Sequence, residues 1–459
     1  MRRIVILGGG TSGLSLAFLR NQNPAPGDDV LVLEEGPQPG GSLRTLREEG
    51  FVLEAGPHTL RTTPAAERLV TSLDLDDEVL VADPRTPRWI VRGGRARAVS
   101  PGPAGLLSTA IPFGAKLRAL KEPFVAPRSA ELDDESVHDF FSRRFGTGFA
   151  RFVGEPVASG VWADDPKTLS ARSAFPRLWE AESRSGSVVR DFLKGPGSPR
   201  PRSTSRTINF RSGLATLAER LAARSQRAGV RVELNAEILG IEGPCDGEDG
   251  GGVWRVQIAD GTVYPADTLV STLDARSFAS LLETRLPRSA SRLSSVTYSR
   301  LAVVLQAFRP ELAKAAPRGF GVLVPRGEGF RSLGVLYLSS LFPQRVPEGF
   351  ALTTSFFGGA LDPSAPDLTE GDLLKVAEAE VRMLHPAIGP RVHERVLKWP
   401  AALPRLPVGH HATLDLLAHD LAAINAGSER PRLVVTGSWR DGVGLGERIT
   451  RAEELAPTL

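Results

Sequence analysis

The chain has 459 residues, 41% of them hydrophobic, which is enough for two or three domains with buried cores and excludes extensive disorder. Its 56 lysines and arginines and 53 acidic residues leave a net charge of +3 without a basic run, so we expect no nucleic-acid partner. The single cysteine excludes an intrachain disulfide and a redox-active cysteine pair, and the seven histidines lack the spacing of a metal site. No signal peptide or spanning-length apolar run is apparent, so a cytoplasmic protein is expected.

The first 58 residues contain the pattern of a dinucleotide-binding βαβ unit. A short apolar strand runs into a glycine-rich turn, a helical segment follows, and a second apolar strand ends on Glu34 and Glu35. In such a unit the glycines let a pyrophosphate approach the backbone, the helix N-terminus attracts the phosphates, and an acidic residue accepts hydrogen bonds from ribose. The turn residues predicted to hold the nucleotide are Gly8, Gly9, Gly10, Thr11, Ser12 and Gly13.

The number of such motifs narrows the choice of nucleotide. The sequence has no second GxGxxG motif, so we expect one dinucleotide, either FAD that oxidises an organic substrate or NAD. A distant glycine-rich turn at 437–446 favours FAD because a flavin ring needs a second contact region, although NAD stays open from the first motif alone. No nucleophile elbow or acid–base constellation is readable, which suits hydride abstraction by flavin N5.

Beyond the first unit the chain changes character twice. Residues 88–99 form two β-rich arms around Gly93-Gly94, the pattern of a hairpin. Residues 100–205 are predicted to be mainly helical, with Asp133, Asp134 or Ser136 as the cap of one helix. The stretch 194–206, rich in Pro, Gly, Ser and Arg, is predicted to be a mobile loop.

The later segments alternate between the two regions, so we predict a mixed α/β and α+β fold with interleaved domains. A Rossmann-like FAD-binding domain is expected to be discontinuous, and it is accompanied by a helical domain and a substrate domain of mixed sheet. The predicted bounds are 1–87 with 207–295 and 408–459 for FAD binding, 88–206 for the helical domain, and 296–407 for the substrate domain.

Several motifs together resemble the amine-oxidase-like FAD superfamily. They are the glycine motif, the strand end at Glu34, the run GGSLR at 40–44 and the run EAGP at 54–57. Further segments, spread over nearly the whole chain, resemble the protoporphyrinogen oxidase family within it: DESVHDFFSRRFG, EPVASGVWADDPKTLSARSAFPRLWEAE, RGFGVLVPRGE, LGVLYLSSLFP and GSWRDGVG. After Gly446 the sequence departs from the usual small-residue helix, and its polar end is predicted to fray.

The resemblance implies where FAD would lie. Its pyrophosphate would contact the turn from Gly8 to Gly13, its ribose would contact Glu34, and its adenine would meet the backbone of Ile238. The remaining implied contacts lie near the flavin ring and are Ser42, Gly56, Pro57, His58, Thr59, Ser438, Val443, Gly444 and Leu445.

The resemblance also implies a substrate and a reaction. The family oxidises an apolar tetrapyrrole with two propionates by removing six hydrogens in three two-electron steps, and oxygen then takes the electrons and leaves as peroxide. No catalytic side chain is implied. Arg88, and more weakly Arg95, would pair with a propionate, since a guanidinium binds a carboxylate through two hydrogen bonds. The pocket-wall positions would be Phe320, Gly321, Leu323 and Phe356.

Family members form dimers and contact membranes through their helical region. Here IPFGAKLRALKEPFV places apolar residues beside lysines, which suits peripheral contact with the inner face of the cytoplasmic membrane, and a helical core segment is the alternative. Three rival functions stay open: oxidation of coproporphyrinogen, amine oxidation, and FAD binding without catalysis. Only three tyrosines occur, none in the C-terminal turn, which argues against an aromatic amine site.

Overall fold

The computed structural model describes residues 2–22, 28–100, 108–129, 131–194, 205–245, 253–311 and 315–459. In chain order its strands are β1 (Arg2–Leu7), β2 (Asp28–Leu33), β3 (Thr45–Glu48), β4 (Phe51–Glu54), β5 (Leu60–Arg61), β6 (Val79–Val81), β7 (Arg88–Arg92), β8 (Arg95–Val99), β9 (Thr207–Phe210), β10 (Arg231–Glu233), β11 (Ile238–Cys245), β12 (Val253–Ile258), β13 (Val263–Ala266), β14 (Thr268–Ser271), β15 (Tyr298–Phe308), β16 (Gly321–Leu323), β17 (Gly334–Leu336), β18 (Ala351–Gly358), β19 (Arg391–Pro404) and β20 (Leu433–Val435).

The α-helices are α1 (Thr11–Gln22), α2 (Pro64–Ser72), α3 (Phe113–Ala119), α4 (Val137–Phe145), α5 (Thr147–Phe149), α6 (Glu155–Trp162), α7 (Ala171–Ala174), α8 (Pro176–Ser185), α9 (Val188–Lys194), α10 (Ala215–Arg227), α11 (Ala275–Leu282), α12 (Pro287–Ser294), α13 (Leu338–Leu341), α14 (Glu370–Leu384), α15 (His410–Asn425), α16 (Ser438–Asp441) and α17 (Leu445–Leu455). Within the described ranges, no helix has both the length and the apolarity that crossing a bilayer requires.

The chain divides into two compact units, each built from separate segments. Unit 1 comprises Met1–Val81, Ser203–Thr297 and Ala412–Leu459, and unit 2 comprises Ala82–Arg202 and Tyr298–His411. The segments predicted as a helical and a mixed-sheet domain therefore fall in one unit, and the three-domain division stays a prediction. The predicted mobile loop lies almost entirely outside the described residues.

Unit 1 is centred on a parallel five-stranded sheet with the order β10-β2-β1-β14-β20. Except for the edge strand β10, its strands contain short apolar runs because a parallel sheet is covered on both faces, and Ile4, Val32 and Val270 are fully buried. The chain leaves β1 for β2 on one side, whereas β14 lies on the other side of β1. The carboxyl end of β1 is thus a topological switch point, where this fold class binds ligands.

The C-terminal helix completes this core. Helix α17 buries Leu445, Ile449, Ala452 and Leu455 along one side, and its last two buried residues belong to the cluster that covers the parallel sheet. The expectation that this end frays is wrong, because apolar residues recur at helical spacing among the polar ones and hold the helix down. The final residue, Leu459, is also fully buried.

Unit 2 contains a seven-stranded mixed sheet with the order β19-β15-β18-β17-β16-β7-β8. Neighbouring strands are antiparallel except β7 and β16, which run parallel. The predicted hairpin is confirmed, since Arg92 pairs with Arg95 across Gly93 and Gly94, which have φ of +61° and +69°. Two positive-φ residues are what a type I′ turn requires.

The predicted helical region forms α3 to α9 in unit 2, and Ser136 caps α4 by accepting a hydrogen bond from the Asp139 amide at 3.0 Å. The helices meet around buried charges. Arg144 and Glu122 are both fully buried and form an ion pair, and Glu122 also accepts a hydrogen bond from Ser187 Oγ at 2.6 Å. Charge-assisted bonds therefore join segments that are distant in sequence.

Candidate functional site

The glycine-rich turn after β1 has a geometry that side chains would prevent. Gly8 has φ of +101°, and a Cβ there would lie 2.7 Å from Thr272 Oγ1. A Cβ on Gly13 would lie 2.0 Å from the Gly8 carbonyl oxygen, far inside van der Waals contact. The turn can therefore bend tightly and lie against the first turn of α1 only with glycine at these positions.

Helix α1 begins at Thr11, directly after this turn, so its N-terminal amides lie at the carboxyl end of β1. Thr11 and Ser12 are buried, and Thr11 Oγ1 has no hydrogen-bond partner among the described residues. A buried hydroxyl without a partner is costly, and a phosphate at the helix N-terminus would satisfy it. The donor set therefore fits a dinucleotide.

Glu34 lies at the neighbouring strand end and faces the same turn. Its Oε2 accepts a hydrogen bond from the Gly9 amide at 2.7 Å, and its Oε1 accepts one from the Gly36 amide at 3.0 Å. Glu35 is exposed. The Ala236 amide donates to the Glu34 carbonyl at 2.9 Å, which brings the start of β11, and with it Ile238, to this edge of the sheet.

A second loop lies against the glycine turn. The Gly40 amide donates to the Gly9 carbonyl at 2.8 Å, and a Cβ on Gly41 would lie 3.2 Å from Gly10 Cα. A Cβ on Gly56 would lie 1.9 Å from the Ser42 carbonyl oxygen. The structure thus brings Ser42 and the turn at 56–59, which includes Pro57, the buried His58 and Thr59, close to the nucleotide turn.

The C-terminal residues join the same region through Leu273. Its carbonyl accepts a hydrogen bond from Trp439 Nε1 at 3.1 Å, and its side chain lies 3.5 Å from the position of a Gly8 Cβ. Ser438 begins α16, Gly444 is the N-cap of α17, and Val443 and Leu445 flank that cap. Three distant stretches of chain therefore meet within unit 1.

Sequence reasoning missed two residues of this region. Thr272 Oγ1 lies 2.9 Å from the Leu7 carbonyl oxygen and 3.0 Å from that of Gly8, so it ties β14 to the turn. In the sequence, the feature that could have pointed to Thr272 is the pair of small polar residues, Ser271 and Thr272, at the end of this strand. Arg448, in the first turn of α17, has a buried Nε without a hydrogen-bond partner among the described residues. Burial lowers the pKa of its guanidinium to about 10.

The candidate substrate residues lie together in unit 2, on the parallel pair β7–β16. Arg88 pairs with Gly321, and its guanidinium carbon lies 4.9 Å from the centre of the Phe320 ring. Arg88 is exposed, and its planar cation stacks on the Phe320 ring. Arg95 is at the other end of the hairpin, opposite Arg92, and is not brought to this cluster.

Leu323 and Phe356 extend this cluster into the sheet. A Cβ on Gly160 would lie 2.4 Å from Leu323 Cδ2, so α6 packs closely against that side chain. The Phe356 carbonyl accepts a hydrogen bond from the Leu333 amide at 2.8 Å, and the Phe356 ring packs with Ala163 and Leu333. Unit 2 therefore has an apolar wall with the exposed guanidinium of Arg88 at its edge. Among the described residues, no cluster could hold a metal ion.

Comparisons with known proteins agree with this geometry. Protoporphyrinogen oxidase 1, chloroplastic, of Arabidopsis thaliana is 31% identical over 98% of this chain and 87% of its own length. Coproporphyrinogen III oxidase of Bacillus subtilis is 26% identical over 98% of this chain and 96% of its own length. The crystal structure of an Exiguobacterium protein, provisionally assigned as a protoporphyrinogen oxidase, has a TM-score of 0.80 at 20% identity and covers 99% of this chain and 98% of that one.

The family model for flavin containing amine oxidoreductases matches residues 12–446, which is nearly the whole chain. The predicted mixed fold is confirmed, and of the two nucleotides left open by the glycine motif the cofactor is FAD. This protein is an FAD-dependent oxidase and belongs to the flavin containing amine oxidoreductase family.

Proposed function

We propose that this chain oxidises protoporphyrinogen IX to protoporphyrin IX in heme biosynthesis. The observation that carries the proposal is the pairing of β7 with β16, which sets the Arg88 guanidinium on Phe320 beside Gly321 and Leu323. An apolar wall with a guanidinium at its edge suits an apolar macrocycle that bears carboxylates. The name and high coverage of the relative from Arabidopsis thaliana support the same assignment.

Each group of residues has a separate task in this reaction. Bound FAD would accept two electrons from the substrate in each step. The turn from Gly8 to Gly13 and the start of α1 would bind the pyrophosphate, and the Glu34 carboxylate would exchange its bond to the Gly9 amide for ribose hydroxyls. Phe320, Leu323 and Phe356 would exclude water from the macrocycle, and Arg88 would orient one propionate. No side chain is assigned as an acid or base.

An aerobic assay of the purified yellow protein with protoporphyrinogen IX tests the proposal, with porphyrin fluorescence and peroxide as readouts. We expect porphyrin to form faster than in a control that contains free FAD and heat-inactivated protein. A rate equal to that of autoxidation would refute the proposal. If the protein oxidises the porphyrinogen without oxygen at the aerobic rate when another electron acceptor is supplied, that acceptor would take the place of oxygen in the proposed reaction.

Coproporphyrinogen III is the alternative substrate, supported by the relative from Bacillus subtilis. It carries four carboxylates and would need more cations beside the apolar wall than a substrate with two propionates. Running the same assay with both porphyrinogens compares their kcat/KM values. A higher kcat/KM for coproporphyrinogen would move the assignment to that substrate, and turnover of simple amines alone would move it to amine oxidation.

We further propose peripheral membrane contact through an α3 surface in unit 2. It consists of four apolar side chains with exposed fractions between 49% and 84%: Phe113, Leu117, Leu120 and Phe124. Lys116 and Lys121 lie between them in sequence, and such a mixture suits an interface with anionic lipid. We also propose that the protein is a homodimer, which sedimentation velocity tests. We place it in the cytoplasm, bound to the inner face of the membrane, which cell fractionation tests.

A further inference from the structure

A buried hydrogen-bond cluster in unit 1 lies directly behind the turn at 56–59. Its centre is formed by Glu54, the last residue of β4, and Asn209 in β9, and both are 0% exposed. Asn209 Nδ2 donates to the His58 carbonyl oxygen at 2.8 Å and to Glu54 Oε1 at 3.1 Å. Asn209 Oδ1 accepts a hydrogen bond from the Phe210 amide at 2.6 Å.

The Glu54 carboxylate is also held from its other side. Its Oε1 accepts a hydrogen bond from the Leu214 amide at 2.9 Å, and its Oε2 accepts one from Thr45 Oγ1 at 2.7 Å. Thr45 Oγ1 in turn accepts one from the Ala215 amide at 3.1 Å. The cluster therefore joins the β3–β4 hairpin, β9 and the start of α10 to the backbone of His58.

This arrangement costs more than a well-packed apolar core would. A carboxylate and an amide are removed from water, and all four of their polar side-chain atoms need partners for the cluster to be tolerated. The partners are mostly backbone groups, so the cluster fixes the positions of main-chain atoms. One of them, the His58 carbonyl, lies in the turn at 56–59 and accepts a hydrogen bond from Asn209.

We propose that Asn209 and Glu54 are positioning residues for the flavin. By holding the His58 carbonyl, they fix the turn at 56–59 in the one conformation that receives the cofactor. The inference rests on the proposed placement of the flavin beside this turn. It goes beyond the substrate assignment, because it concerns how the cofactor is oriented whichever porphyrinogen is oxidised.

The test compares Asn209→Ala with a matched control, Asn425→Ala. Asn425 is also an amide of unit 1 bonded to backbone, since its Oδ1 accepts from the amides of Arg432 and Leu433 and its Nδ2 donates to the Leu433 carbonyl. We expect Asn209→Ala to weaken FAD binding to the apoprotein by about tenfold and to change the visible circular dichroism of the bound flavin. Asn425→Ala should lower the melting temperature but keep the wild-type flavin spectrum.

Two variants of the carboxylate side complete the design. Glu54→Gln keeps an oxygen for the Asn209 and Leu214 donors and should retain FAD affinity and spectrum, whereas Glu54→Ala should lose both. If Asn209→Ala fails to fold, Thr45→Val decides, because it removes the outer bonds of the cluster, those of Thr45 Oγ1 with Glu54 Oε2 and with the Ala215 amide, and leaves the Asn209 side chain unchanged. A changed flavin spectrum in Thr45→Val supports the inference, and an unchanged one overturns it.

The outcomes separate this inference from the proposed function. Equal loss of FAD affinity in Asn209→Ala and Asn425→Ala would show a general stability role and overturn it, as would an unchanged Asn209→Ala. A wild-type protein that binds FAD but oxidises no porphyrinogen would refute the proposed function and leave the positioning test valid. A wild-type protein that binds no FAD would refute both.

Discussion

Gly13 shows how one missing methyl group shapes the candidate cofactor site. Because a Cβ there would lie 2.0 Å from the Gly8 carbonyl oxygen, Gly13→Ala must push the turn away from α1. We expect FAD affinity to fall by at least about tenfold, measured by titrating apoprotein with FAD and following flavin fluorescence. Gly371→Ala is the control, since its Cβ would meet only Thr369 Oγ1 at 4.0 Å. Equal affinities for FAD in the two variants would remove Gly13 from the site.

Arg88 is the residue on which the substrate assignment depends most. A lost charged hydrogen bond costs about 1.5–3 kcal/mol, so Arg88→Ala should raise KM for the porphyrinogen about 10- to 100-fold with little change in flavin content. The KM of Arg88→Lys should lie between those of wild type and Arg88→Ala, since an ammonium keeps the charge but cannot form two parallel hydrogen bonds with a carboxylate. The control is Arg85→Ala, an exposed arginine paired with Asp83. A KM that stays at the wild-type value in Arg88→Ala would place the carboxylate elsewhere.

The helices of unit 2 depend on the buried charges between them. Burial would raise the pKa of Glu122, but hydrogen bonds from Ser187, Arg144 and the amides of Val188 and Val189 outweigh it and hold that pKa below 4.5. Since the folded-state pKa is the lower one, this stabilisation is complete above pH 4.5 and is lost as the pH falls through the folded value. The helical part of unit 2 should therefore be sensitive to acid.

Glu122→Gln tests this link between charge and helix packing. The variant should melt well below wild type at pH 7, because Arg144 stays buried without Glu122, the closer of its two carboxylate partners, and keeps only the 3.4 Å contact with Glu182. Breaking a buried ion pair costs about 3–5 kcal/mol. The two melting temperatures should converge as the pH falls below 4.5. Calorimetry across this pH range measures the difference, and a constant gap would contradict the pKa argument.

The α3 surface gives a second prediction for an element. Replacing Leu120 and Phe124 by Ser should reduce co-sedimentation with vesicles that contain phosphatidylglycerol, because both side chains are mostly exposed and would enter the lipid interface. Met383→Ser, an exposed apolar position on α14, should leave vesicle binding unchanged. Loss of binding in both proteins, or in neither, would argue against a specific surface.

At the scale of the whole molecule, the sequence predicts those structural features that are determined by residues close together in the chain. The glycine turn, the apolar strands and the hairpin at Gly93-Gly94 are local patterns, and all three occur as predicted. The parallel pairing of β7 with β16, the bond from Asn209 to His58 and the link from Leu273 to Trp439 join segments far apart in the chain. Local sequence patterns do not predict contacts between distant segments. In this chain, only the family resemblance predicted that Arg88 and Phe320 belong to the same site.

The candidate cofactor region is assembled from the beginning, middle and end of the chain, and this leads to a prediction for the whole protein. FAD should slow hydrogen exchange in all of these segments at once, including residues 8–13, 40–59 and 436–449. Binding stabilises the folded form by about 2.7 kcal/mol at a free FAD concentration 100 times Kd, which mass spectrometry of exchanged peptides detects easily. Helix α14 of unit 2 serves as the internal reference. Protection confined to residues 8–59 would mean that the C-terminal turn takes no part in holding the flavin, and the link through Leu273 would then be purely structural.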